Sequence, residues 1–84
     1  MSKAEKLIER FKSVPADFTW AEIKSVLGIL GFEEIGTGKT SGSRCRFINS
    51  NKVVILLHKP HPGSIVKKYA IVDTIHTLEM HGII

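Results

Sequence analysis

The chain has few of the features that define several large classes of protein. It has 84 residues and a single cysteine, so it cannot form an internal disulfide and is not a disulfide-stabilised secreted scaffold. Its longest apolar run, residues 53–57, is far shorter than the roughly 20 residues that span a bilayer. The N-terminal residues are charged throughout and lack the apolar centre of a signal peptide. We therefore expect one cytoplasmic domain over residues 1–84, without a membrane partner.

Acidic residues are missing from the middle of the chain. Residues 36–72 hold no Asp or Glu, whereas residues 1–35 hold six acids and five bases. A surface that binds phosphate needs such a region, because carboxylates would repel the phosphates. A basic face that is merely solvated is the alternative interpretation. The bases of the acid-free region are Lys39, Arg44, Arg46, Lys52, Lys59, Lys67 and Lys68.

Hydrophobic periodicity predicts an α+β domain with the element order α-α-β-β-β-α. The first helix forms an N-terminal extension within residues 1–14. We expect the three strands to form an antiparallel sheet with the helices packed on one face. The predicted helices cover residues 4–13, 19–31 and 68–82, and the predicted strands cover residues 32–35, 44–47 and 52–58.

Local signals mark where the helices begin and end. Thr19 followed by Glu22 predicts a capping box at the start of the second helix. Gly31 and Gly82 are placed to end the second and last helices in the left-handed conformation. Gly28, inside a helix, costs about 1 kcal/mol relative to alanine. We therefore expect close packing against a strand at that position.

Alternation places the basic side chains of the first hairpin strand on one face. Arg44 and Arg46 point to one side, and Cys45 and Phe47 point to the core. The two arginines lie about 7 Å apart and form a row of donors that suits phosphate oxygens. The turn at residues 49–51 joins this strand to the next one.

Two motifs suggest sites that the sequence does not support. The Gly38-Lys39-Thr40 segment lacks the first glycine of a phosphate-binding P-loop, because Glu33 stands there, and a strand rather than a helix follows. His58 and His61 have the spacing of a zinc pair, but a structural zinc site needs four ligands and the chain has one thiol. We expect no metal and no small-molecule cofactor.

Several further segments could contribute to an anion-binding site. His61 lies between Pro60 and Pro62, which hold its imidazole on a stiff loop. Lys39 lies in a glycine-rich loop, Lys59 follows the last strand, and Lys67 and Lys68 precede the last helix near its positive end. Because aromatic residues are few, we expect contacts to the backbone and 2′-hydroxyls of RNA rather than base stacking.

An ordered set of short motifs resembles the HicA family of toxins. The motifs are FTWAE at 18–22, LGF at 30–32, GSRCRF at 42–47, LHKPHP at 57–62 and GII at 82–84. The resemblance implies a small domain shaped like a double-stranded-RNA-binding domain. It also implies an mRNA interferase, an endoribonuclease that blocks translation and is held inactive by a partner antitoxin of the HicB family.

The chain departs from the family at the usual catalytic residue. In the family a histidine follows the Gly-Ser pair, whereas Arg44 follows Gly42 and Ser43 here. Arginine stays protonated and is a poor general base. We therefore expect His58 or His61 to perform the acid–base chemistry of a metal-free attack by a ribose 2′-hydroxyl. Developing charge on the phosphate would be stabilised by Arg44, Arg46 and Lys59.

The sequence leaves three functions open. The first is a toxin endoribonuclease with a partner antitoxin. The second, favoured by the missing histidine, is an RNA-binding module that does not cut. The third is a protein-interaction module whose basic face binds an acidic partner.

Overall fold

The computed structural model describes residues 2–35, 44–60 and 63–84. Within them the predicted α+β order is confirmed, with an antiparallel sheet of order β1-β2-β3 and an additional N-terminal helix. None of the helices in these ranges is long and apolar enough to cross a membrane. The elements are α1 (Lys3–Lys12), α2 (Trp20–Ile29), β1 (Glu33–Ile35), β2 (Arg44–Ile48), β3 (Val54–His58) and α3 (Lys68–Met80).

Helix α2, Trp20–Ile29, is capped at its two ends by the predicted residues, Thr19 and Gly31. The Thr19 hydroxyl accepts a hydrogen bond from the Glu22 amide at 3.1 Å, and the Glu22 carboxylate accepts one from the Thr19 amide at 2.9 Å. At the other end Gly31 has a φ of +93°, and the amide of Phe32 donates to the carbonyl of Leu27 at 2.8 Å. This capping at both ends fixes the length of the helix before β1.

The predictions for two other glycines have different outcomes. Gly82 has a φ of +68° and closes α3, where the Ile83 amide donates to the Leu78 carbonyl at 2.9 Å. The expectation for Gly28 was wrong, because the residue is exposed and a Cβ added there would meet nothing within 4 Å. Gly28 therefore lies on the solvent side of α2 and is not needed for packing.

The turn of the β2–β3 hairpin shortens the strand that was predicted at residues 52–58. The side-chain oxygen of Asn49 accepts hydrogen bonds from the amides of Asn51 (3.0 Å) and Val53 (2.8 Å). Lys52 adopts a left-handed φ of +65°, which an extended strand does not allow. Strand β3 consequently begins at Val54, not at residue 52 as the sequence predicted.

The core lies between the helices and one face of the sheet. Helix α1 contributes Phe11, which is fully buried with its ring centroid 5.7 Å from that of Phe18. Arg10 of the same helix binds Asp17 at 2.8 Å. The buried core residues are Phe11, Phe18, Trp20, Ile23, Val26, Leu27, Phe32, Phe47, Val53, Ile55, Leu57, Val66, Ile71 and Leu78.

Candidate nucleic-acid interface

The β2–β3 hairpin has two faces of opposite character. Phe47, Ile55 and Leu57 are buried on the side that packs on the core, which we call the inner face. Arg44 and Arg46 are exposed on the other side, the outer face, as the alternation predicted. The hairpin therefore presents charge to solvent without exposing its core.

The outer face brings Arg44 and His58 together. They are direct partners in the register of β2 and β3, and both are exposed. The Asn49 amide donates to the Val53 carbonyl at 3.2 Å, which makes that pair a hydrogen-bonded one. Since such pairs alternate along an antiparallel ladder, the Arg44–His58 pair is a non-hydrogen-bonded one, with Cα atoms about 4.5 Å apart and neighbouring side chains. A fixed cation and an imidazole thus lie side by side.

Arg46 extends this charge along the same strand. It faces Leu56 of β3 on one side and Ile35 of β1 on the other. Arg44 and Arg46 are two residues apart, about 7 Å along β2, so they form the predicted row of donors. Arg46 is not the direct partner of His58, because it pairs with Leu56, two residues before His58 in β3. The residues directly opposite Arg46 on both neighbouring strands are apolar.

A groove of about 560 Å³ lies between β3 and α3. His58, Lys59 and Lys67 all line it, so the structure brings these three predicted residues together. Lys68 is exposed at the first turn of α3 but does not line the groove. His58 therefore belongs to two sets of residues. It pairs with Arg44 across the hairpin, and it lines the groove together with Lys59 and Lys67.

The cations of this site are not neutralised by the described part of the protein. The ion pairs found within residues 2–35, 44–60 and 63–84 join Arg10 to Asp17 and Glu22. A further one joins Lys24 to Glu34 at 3.2 Å. None of them uses Arg44, Arg46, Lys59 or Lys67. These side chains are available to an external anion.

Two predicted site residues lie outside the described residues. They are Lys39, in the glycine-rich segment, and His61, between the two prolines. The Gly42–Ser43 pair that precedes Arg44 lies there as well. Their roles stay predictions.

The groove also contains residues that sequence reasoning missed. Val54, Leu56, Ile65 and Tyr69 line it and are large, apolar and exposed. One signal was available, because the run at 53–57 places apolar residues on both faces of a strand. No local pattern in the sequence brings Tyr69 of α3 next to β3, since that contact depends on tertiary packing.

Cys45 is a packing residue of the inner face. Partial burial raises the pKa of its thiol, and a hydrogen bond with Glu34 together with the charge of that carboxylate raises it further. Lys24 and Lys59 act in the opposite direction. Because the thiolate is the reactive form, a thiol kept protonated is a poor nucleophile. Cys45 is therefore not a candidate catalytic group.

No cluster that could hold a metal ion occurs where the structure is described. A group of three or more His, Cys, Asp or Glu side chains with suitable placement is absent from those ranges. His58 pairs with Arg44 across the hairpin and lines the groove together with Lys59, Lys67 and Asp73.

Comparison with known proteins identifies the family of the chain. Residues 20–79 match the family model described as HicA toxin of bacterial toxin–antitoxin systems. No curated protein and no solved structure gave a significant match. The matched residues include α2, the whole sheet and nearly all of α3, whereas α1 precedes them. The chain therefore belongs to the HicA family, the toxins of bacterial toxin–antitoxin systems that act opposite a cognate antitoxin.

Proposed function

We propose that this toxin binds mRNA through its outer face and cleaves it, which would stop translation in the cytoplasm. The observation that carries the proposal is the direct pairing of His58 with Arg44 across the hairpin. An imidazole titrates near neutral pH and can move a proton, whereas the neighbouring guanidinium holds a permanent charge. Backbone cleavage of RNA requires both functions at one phosphate.

The proposed reaction uses the RNA's own 2′-hydroxyl as the nucleophile. The His58 imidazole accepts the hydroxyl proton, and the oxygen forms a bond to the adjacent phosphorus. The bond from phosphorus to the 5′-oxygen breaks, which leaves a 2′,3′-cyclic phosphate and a 5′-oxygen that takes a proton from His61 or water. Arg44 donates hydrogen bonds to the non-bridging oxygens as their charge increases. No metal takes part in this route.

The remaining cations would position the RNA. Arg46, two residues along β2, and Lys59 and Lys67, in the groove, lie on two sides of the proposed reaction centre. Contacts of this kind bind phosphates without reading base sequence. Lys39 and Lys68 would extend the same surface. Such a surface suits the backbone of structured RNA, in keeping with the resemblance to a double-stranded-RNA-binding domain.

A second candidate is an RNA-binding toxin that does not cut. The observation in its favour is Arg44 itself, which stands where the family's usual histidine would follow Gly42 and Ser43. Such a toxin would block translation by occupying mRNA. The two candidates share a surface and differ only in whether the phosphate bond breaks.

Cleavage of a purified mRNA transcript separates them. We expect the wild-type protein to cut with and without EDTA, and His58→Ala to cut at least about 100-fold more slowly, because a general base contributes about 10²–10⁴-fold. His61→Ala tests the second imidazole in the same assay. His76→Ala, an exposed histidine of α3 outside the site, is the matched control and should cut at the wild-type rate. An unchanged rate for both His58→Ala and His61→Ala would show that the assignment is wrong.

Expression in cells tests the biological role. We expect induction to arrest growth and to shorten transcripts, and co-expression of the cognate antitoxin, which we propose to be of the HicB family, to restore growth. Arrest with full-length transcripts would favour the non-cutting toxin. Harmless expression of the soluble, folded protein would contradict both.

A further inference from the structure

Strand β3 is an unprotected edge of the sheet. In the order β1-β2-β3 it has a neighbour on one side only, so its other side has no strand partner among the described residues. Edge strands in natural proteins usually carry a lysine, a proline or a bulge that prevents further pairing. Val54–His58 contains none of these, and its register with β2 is unbroken. The strand is thus able to accept another.

The ladder identifies the backbone groups at this edge. Asn49 and Val53 form a hydrogen-bonded pair, so the alternate residues Val53, Ile55 and Leu57 direct their amides and carbonyls to β2. The amides and carbonyls of Val54, Leu56 and His58 therefore point away from the sheet. These same three residues line the groove beside α3.

The exposed large hydrophobic side chains of the described residues are concentrated at this groove. Of the seven large hydrophobic residues that are exposed within the described ranges, four line this groove. Leu56 and Tyr69 are 58% and 65% exposed. The other two are Val54 and Ile65. Exposed apolar side chains that share one groove are typical of a binding surface, protein-binding surfaces among them.

The charges around the groove restrict the occupant. His58 and Lys59 come from the end of β3 and Lys67 from the start of α3. Asp73, further along α3, is the one acid among the described residues that line the groove. RNA bound to the cations at this end would leave the aliphatic walls unused. A backbone that continued along the groove would bring phosphates close to Asp73, and Tyr69 is the one Phe, Tyr or Trp among the described lining residues. An apolar peptide with a carboxylate near one end matches both the walls and the cations.

We propose that the cognate antitoxin inserts an extended segment between β3 and α3, as a fourth strand of the sheet. Its backbone pairs with Val54, Leu56 and His58, and a carboxylate of the segment lies against Lys59 and Lys67. A strand that pairs with all five residues of β3 is about 17 Å long. Because His58 is part of the edge, the inserted strand also closes the proposed reaction centre to RNA.

The inference rests on the toxin–antitoxin part of the proposed function and not on RNA cleavage. The test uses the ¹⁵N-labelled toxin, alone and in complex with the antitoxin encoded beside it, and measures amide hydrogen exchange by NMR. In the free toxin we expect fast exchange at Val54, Leu56 and His58, and slow exchange at Ile55 and Leu57, which already pair with β2. In the complex all five amides should exchange slowly, and the three edge amides should slow by at least tenfold.

This alternating pattern distinguishes strand addition from simple coverage of the surface. A complex in which the three edge amides exchange as fast as in the free toxin overturns the inference. So does slowing by a short RNA oligonucleotide but not by the antitoxin, and so does failure of any complex to form. If the edge is protected but RNA is not cut, only the proposed catalysis fails.

A pair of variants tests the same contact by affinity. Leu56→Lys places a charge on the exposed side of the edge strand, and we expect it to weaken antitoxin binding by at least tenfold. Val72→Lys adds the same charge at a 49% exposed aliphatic residue of α3 that does not line the groove, and should change binding less than twofold. Equal affinities for the two variants, with unchanged far-UV circular dichroism, would contradict the inference.

Discussion

The two faces of the β2–β3 hairpin are made by the same ten residues and differ in burial and in charge. On the inner face Phe47, Ile55 and Leu57 are almost completely excluded from water and hold the helices. On the outer face Arg44 and His58 stand next to each other in solvent. The period of two in a strand separates buried packing side chains from exposed charged ones within five residues of chain.

This separation explains how Arg44 can stand, without loss of the fold, at a position where the sequence resemblance implies a catalytic histidine. A residue on the outer face has few packing partners, so Arg44 fits where a histidine is expected. The outer face of the next strand then supplies an imidazole, because the register places His58 opposite Arg44. In our proposal the acid–base group is therefore His58 of β3 rather than a histidine at position 44 of β2.

The largest expected effect is on the inner face. Phe47→Ala should lower the free energy of unfolding by about 3–5 kcal/mol, since it removes a buried ring whose centroid lies 6.2 Å from that of Trp20. The matched change on the outer face of the same strand, Arg46→Ala, should stay within about 0.5 kcal/mol. Urea denaturation measures both. Similar losses for the two variants would show that the faces are not separate.

The next effect is on the outer face and concerns RNA. Arg44→Ala/Arg46→Ala should weaken RNA binding and reduce the slope of log K against log salt by about 1.4–1.8, which corresponds to two lost phosphate contacts. The melting temperature should not fall. Lys3→Ala/Lys6→Ala removes the same charge from exposed positions of α1 and serves as control. An equal loss of affinity in the control would point to net charge rather than to this face.

A smaller effect is expected on the solvent side of α2. Gly28→Ala should stabilise the protein by up to about 1 kcal/mol, because alanine favours the helix and its Cβ meets no neighbour within 4 Å. RNA cleavage and binding should be unchanged. A loss of stability in thermal unfolding would mean that a neighbour approaches this position closely.

The smallest effect concerns Cys45, on the inner face of the hairpin. Its pKa is raised above the ordinary value of 9.0, mainly by burial and then by Glu34. The folded state therefore holds the thiol proton more tightly than the unfolded state, so this contribution to stability is complete below pH 9 and is lost as the pH rises through the folded-state pKa.

The reaction of Cys45 with a thiol reagent measures this directly. It should be slower than that of a free cysteine at pH 8, and Glu34→Gln should lower the pKa and speed the reaction. Glu33→Gln, the exposed neighbour in β1, is the control. A Glu34→Gln variant that reacts at the wild-type rate would contradict the assigned cause.

Much of the fold could be predicted from local sequence signals. The capping box at Thr19, the closing glycine at Gly31 and the alternation around Arg44 each act over a few residues, and the structure has all three. The start of β3 was predicted two residues early, because the conformation of Lys52 depends on the side chain of Asn49. Such a side-chain contact is not visible in hydrophobic periodicity.

The site could be predicted only in part. Which residues face outward followed from alternation, and the pairing of Arg44 with His58 required only the hairpin register. The groove required the position of α3 relative to β3, which is a tertiary contact. Ile65 and Tyr69 line the same groove as Leu56 in the structure, although nothing in their sequence separation indicates it.

The most direct test of the account is a double-mutant cycle between Arg44 and His58 in RNA cleavage. If the two groups act on one phosphate, Arg44→Ala should slow cleavage by the otherwise wild-type protein at least tenfold. It should slow the His58→Ala variant far less, since the reaction that Arg44 supports is already lost there. Urea denaturation should show all four proteins equally stable. Independent, multiplicative effects of the two substitutions, or undiminished cleavage by His58→Ala, would contradict the claim that the outer face of the hairpin is the reaction centre.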